Sequence, residues 1–106
     1  RSGAAVQEGN AERLLTPAAD RVEISVLGMQ TYFSRNQALY VLQDFFKNYA
    51  LREFAIEDES ESGDDFFVSA RYWYGQAERP LHVYVRLTRR DEQWVLQELR
   101  LDRSDR

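Results

Sequence analysis

The apolar positions change period along the chain, and each period predicts an element. Val22-Glu23-Ile24-Ser25-Val26 alternates apolar and polar, the repeat of a strand with one buried face. Gly28 marks a turn, and Gln30 to Phe33 predicts a short return strand, so the two form a hairpin. The repeat then lengthens. Ala38, Val41, Leu42, Phe45, Phe46 and Tyr49 follow one another at steps of 3, 1, 3, 1 and 3, which traces one face of a helix. Gln43, Asp44, Lys47 and Asn48 fall on the other face. Ser34 and Gln37 form a capping-box pair, each able to satisfy an orphan amide of the first turn. The spacing therefore predicts a long amphipathic helix over Ser34 to Tyr49.

After the helix the period returns to two. Strands are predicted over Arg52–Glu57, Phe66–Tyr74, Leu81–Arg89 and Trp94–Leu101, joined by short connections that imply an antiparallel meander. The run Glu57–Asp65 carries six acids and one glycine and reads as a solvated loop. Upstream, Ala4–Glu8 reads as the end of a helix stopped by Gly9. A second short helix, Ala11–Leu15, is capped by Asn10 and closed before Pro17. The fold class predicted is α+β, with N-terminal helices and one long amphipathic helix packed on a curved antiparallel sheet. The 106 residues suit one domain spanning 1–106, with 1–8 the remnant of a first helix or a trimmed chain start.

That order resembles a small exported bacterial domain family of unknown function with the nuclear transport factor 2-like, or cystatin-like, fold. The residues that carry the resemblance are Gly9-Asn10-Ala11-Glu12-Arg13-Leu14, Val22-Glu23-Ile24, Tyr32 to Ala38 running on to Leu42-Gln43-Asp44-Phe45-Phe46, and Val95 to Leu101. The resemblance implies a cone-shaped sheet closed by helices and export to the periplasm or beyond. It implies no cofactor and no established catalytic residues. The acidic run after Ile56 departs from it, since basic residues would be unsurprising there.

Composition narrows the function classes. A net charge of −4 disfavours a broad nucleic-acid footprint. The chain has no cysteine, which removes disulfides, a thiol nucleophile and cysteine metal sites. No apolar run reaches the ~18 residues of a membrane span. The chain starts Arg1-Ser2-Gly3 without a Met, which suggests that a targeting segment once preceded it. No catalytic, cofactor-binding or metal-binding set is expected. The one histidine, His82, alternates with Leu81 and Val83 and should face away from the helix, which makes it a surface or interface residue rather than a general base in the cone. Asp44 lies on the polar side of the helix. The acidic run lacks EF-hand spacing. Arg86, Arg89 and Arg90 are too few to suggest a nucleic-acid groove.

Two surfaces remain. Alternation puts Leu81, Val83, Val85 and Leu87 against the helix and His82, Tyr84, Arg86 and Thr88 on the outer face. On the last strand it puts Val95, Gln97, Leu99 and Leu101 inward and Trp94, Leu96, Glu98 and Arg100 outward, although a one-residue slip would invert that strand. The outer face would then carry Tyr84, Arg86, Trp94 and Leu96, with either Tyr72 and Tyr74 or Arg71 and Trp73 beside them. Aromatics among arginines compose an interface core, or else simple cross-strand pairs. The second surface is the cone, where Tyr32, Phe45, Tyr49 and Gln97 either line a pocket or fill it. The expected function is a non-enzymatic binding or interaction domain that homodimerises through the outer face. The alternative is a carrier of a hydrophobic small ligand, or an isomerase- or dehydratase-like enzyme, using the cone.

Overall fold

The computed structural model describes residues 18–103. Strands β1 (Ala18–Val26) and β2 (Met29–Ser34) form a hairpin, and helix α1 (Arg35–Asn48) follows. Strands β3 (Leu51–Ser62), β4 (Asp65–Tyr74), β5 (Leu81–Arg90) and β6 (Gln93–Arg103) then run as an antiparallel meander. All six strands join one sheet in the order β2-β1-β6-β5-β4-β3. The expected helices over Ala4–Glu8 and Ala11–Leu15 lie outside the described residues.

The sheet is mixed, not antiparallel. β1 pairs parallel to β6, with Ile24 opposite Leu99 and Val26 opposite Leu101. Alternation reveals which side chains are buried but not which way a neighbouring strand runs. That direction follows from the hairpin docking on the free edge of β6, where Val22 and Ile24 reach the same core as Leu99 and Leu101.

The acidic run also differs from expectation. Glu57 to Ser62 continue β3, and only Gly63 and Asp64 turn the chain. Gly63 sits at φ 61°, a backbone region that glycine enters without a Cβ penalty. Among the described residues the acids lie on an edge strand paired on one side with β4, where charge discourages a further strand from adding.

Helix α1 begins where the capping box requires. Ser34 Oγ accepts from the Gln37 N–H at 3.2 Å, and Gln37 Oε1 accepts from the Ser34 N–H at 3.1 Å. Ala38, Leu42 and Phe45 are its buried positions, packed on Val22, Ile24, Val83, Val85, Leu99 and Leu101. The helix ends at Tyr49, whose N–H donates to the Phe45 carbonyl at 2.8 Å.

An aromatic cluster fills the space between this end of the helix and the sheet. Phe45 stacks on Tyr49 at 5.0 Å and tilts against Tyr72 at 5.6 Å. Phe46 stacks on Tyr72 at 6.3 Å, and Tyr49 meets the edge of Tyr74 at 5.0 Å. Tyr72 has no exposed surface, and its hydroxyl donates to the Tyr49 carbonyl, tying β4 to the C-cap.

Burial pushes the Tyr72 phenol from its usual 10.0 up to about 12. The phenol thus stays neutral in the folded domain after the unfolded chain has begun to ionise. Its contribution to stability is complete below pH 10 and lost as pH rises toward 12, a loss of up to about 2–3 kcal/mol. Tyr72→Phe should cost about 1 kcal/mol at neutral pH through the lost hydrogen bond. It should also flatten the decline of melting temperature across that alkaline window. Parallel declines for the two proteins would show that another group titrates.

Candidate functional site

Among the described residues the helix covers one face of the sheet, and no other element covers the second. The cross-strand registers set what this second face carries. Arg86 lies opposite Glu98, Tyr84 opposite Arg100, and His82 opposite Asp102. On the β4 side, Phe67 pairs with Arg86, Ser69 with Tyr84, and Arg71 with His82. On the β1 side, Glu23 pairs with Glu98 and Ser25 with Arg100.

Glu98 is the centre of this surface. It points away from the apolar core, yet it is only 8% exposed, and two arginines hold its carboxylate. Arg86 Nε donates to Oε1 at 3.4 Å and Arg100 Nε donates to Oε2 at 2.8 Å. The hydrogen bond and charge of Glu98 hold the Arg100 guanidinium above its usual pKa. Both arginines are thereby fixed in direction across the face away from the helix. Tyr84 lies beside them with its ring stacked on Phe67 at 6.2 Å. Burial, then the nearby Glu98 carboxylate, raises the Tyr84 phenol pKa.

His82, Tyr84, Glu98, Arg100 and Asp102 line an open groove of about 340 Å³. Asp102 is tied down at its floor, accepting from the Gly28 N–H at 3.1 Å and from Ser25 Oγ at 3.4 Å. A second groove, of about 190 Å³, lies on the far side of His82 and includes Glu57 and Arg71, which pair at 2.6 Å. Among the described residues no cluster of histidine and acids is arranged to hold a metal. None of their helices is long and apolar enough to cross a membrane.

The expected outer set divides between the two faces. Tyr84 and Arg86 are on the outer face as predicted. Leu96 is not: it is fully buried in the core opposite Leu87. Trp94 follows Leu96 onto the helix side, where it packs against Phe66 at 5.8 Å beneath the Arg89 guanidinium. The cause is a β-bulge. Leu87 pairs with Leu96 but Arg86 pairs with Glu98, so Gln97 is an extra residue and the alternation of β6 inverts there. Beyond the bulge Leu99 and Leu101 face inward as predicted. Of the open pair of choices on β4, Arg71 and Trp73 join the outer face. Tyr72 and Tyr74 join the core side.

The four residues expected in the cone do not converge. Phe45 and Tyr49 stack on each other. Tyr32 is 60% exposed on the outer face, opposite Glu23, with the Arg21 guanidinium 6.0 Å from its ring. Gln97 occupies the bulge, and its buried Nε2 has no hydrogen-bond partner among the described residues. Phe67 and Asp102 were missed by the sequence reading. Strict alternation from Tyr72 would have placed Phe67 outward. No sequence signal marks Asp102, whose role depends on the turn at Gly28.

The model of a family described as DUF4783, a domain of unknown function, matches residues 3–102. The chain belongs to that family. Similar structures agree with the membership. A DUF4783 family protein from Bacteroides uniformis is 20% identical, covers 98% of this chain and 94% of its own, and superposes with a TM-score of 0.88. The DUF4783 fold is also similar to a cystatin-like domain of unknown function from Nostoc punctiforme. That match has 16% identity, covers 97% of this chain and 70% of the other, and has a TM-score of 0.70. An NTF2-like protein of unknown function from Shewanella baltica is 8% identical, covers 98% and 86%, and scores 0.70. At these identities the neighbours establish the fold of the DUF4783 domain and nothing of its activity. No curated protein matches the sequence.

Proposed function

We propose that this DUF4783 domain is a non-enzymatic interaction domain that homodimerises through the outer face of its sheet. The observation that carries the reading is Glu98, a carboxylate on the face away from the helix that is already nearly buried and paired with two arginines. Much of the usual cost of burying a polar group at an interface is thus met within the fold. Tyr84 and Phe67 add aromatic surface beside the arginines, and tyrosine and arginine are the residues enriched where interfaces bury most. By resemblance to exported bacterial domains, the setting of this pairing is the bacterial envelope.

Size-exclusion chromatography with light scattering at micromolar concentration tests the reading. A mass twice that of the 12.5 kDa chain is expected. A monomer that persists as concentration rises a hundredfold overturns it.

A further inference from the structure

Chemistry along the seam between β5 and β6 restricts how two copies can meet. These strands are the central pair of the six. Five pairs face outward along the seam, and each joins unlike partners: Arg86 with Glu98, Tyr84 with Arg100, His82 with Asp102, Thr88 with Val95 and Arg90 with Gln93. When two sheets pack face to face, their two-fold axis lies in the plane between them. An axis parallel to the strands keeps each residue's height and exchanges β5 for β6. It therefore sets every outward residue against a copy of its own cross-strand partner. Arg86 meets the second copy's Glu98, Tyr84 meets its Arg100 through the ring face, and His82 meets its Asp102. An axis perpendicular to the strands through Tyr84 and Arg100 does the reverse. It sets Glu98 against the second copy's Asp102, acid against acid, and Arg86 against its His82, so neither charged group meets an opposite charge.

We infer that a second copy of this chain docks on the outer face about a two-fold axis that runs along the β5–β6 seam, parallel to the strands. This rests on the proposed homodimer and adds its pairing rule. The ion pair within each copy then becomes a four-charge cluster of two Arg86 and two Glu98 side chains. The Tyr84 rings lie against Arg100 of the opposite copy. Glu98 acts as a positioning residue, since it aims both guanidiniums before the second copy arrives.

The test mixes two variants that should each fail alone. Arg86→Glu sets two acids of one copy against two of the other, and Glu98→Arg does the same with bases. Each should self-associate at least tenfold more weakly than the wild type at low salt, with circular dichroism confirming the fold. Mixed in equal amounts, they should form a one-to-one heterodimer, read by native mass spectrometry. A wild-type protein that is monomeric overturns the homodimer itself. A dimeric wild type whose mixed variants form no heterodimer overturns the axis while leaving the homodimer standing.

A gentler arm covers the case in which Glu98→Arg does not fold. The native chain has no cysteine, and His82 is exposed, so His82→Cys installs a single thiol at the seam. With strands about 5 Å apart and about 3.4 Å of rise per residue, a seam-parallel axis displaces the two thiols by about 5 Å laterally, whereas a perpendicular axis displaces them by about 14 Å. A two-carbon bismaleimide should therefore link the dimer covalently. Failure to link a protein that light scattering shows to be dimeric overturns the inference.

Discussion

Replacing Leu96 with alanine should lower the unfolding free energy by about 2–5 kcal/mol, a large part of the ~5–15 kcal/mol that holds a domain of this size. Leu96 is fully buried opposite Leu87, beneath a face that also receives Val68 and Leu99. Truncation removes the transfer free energy of the side chain and leaves a cavity that the sheet backbone cannot close. Urea denaturation would report the change as a lower midpoint with an unchanged slope. The result separates two readings of one residue. A leucine on an outward interaction face would lose association and keep its stability, as exposed substitutions do within about 0.5 kcal/mol. A midpoint close to that of the wild type would mean that the bulge at Gln97 is misplaced and that β6 keeps a single alternation throughout.

Tyr84→Ala is expected to have the opposite profile. Its ring leans on Phe67 and borders the Arg86–Glu98–Arg100 group, but the side chain is not part of the core. The unfolding midpoint of the monomer should shift little. The dimer should weaken by about 30-fold or more, the equivalent of about 2 kcal/mol, which is the level at which an interface residue counts as a hot spot. Sedimentation or light scattering across a concentration series measures it. Trp94→Ala is the matched control: it removes a larger ring from the helix side of the same sheet and should leave association unchanged. If both variants weaken association equally, loss of sheet rigidity rather than loss of a contact is responsible.

The control works because Trp94 and Tyr84 are on opposite faces, which the sequence reading did not anticipate. Strict alternation predicts both on the outer face. Up to Arg86 and Leu87 the period of two was sufficient, and His82, Tyr84 and Arg86 are where it placed them. The single extra residue at Gln97 then inverted the first half of β6, moving Trp94 and Leu96 across the sheet while leaving Glu98, Arg100, Leu99 and Leu101 as predicted. A bulge leaves only a faint trace in one sequence. Here the trace was Leu96 breaking a clean apolar–polar split.

The sequence by itself determined the local elements and their amphipathic faces. The capping box at Ser34 and Gln37, the helical stripe through Phe45 and the alternation of β5 are all decided by near neighbours, and backbone geometry converts such patterns directly into buried and exposed sides. Only the tertiary structure decided the parallel pairing of β1 with β6, the extension of β3 through its acidic run and the inversion at Gln97. It also decided that Arg86 and Arg100 hold Glu98 at the same time, where alternation along the strands allows a pair with either. These features depend on residues far apart in the chain, whose distance and direction local periodicity does not encode. The candidate site is of this second kind, since its centre is one carboxylate held between guanidiniums that meet only after β5 and β6 have paired.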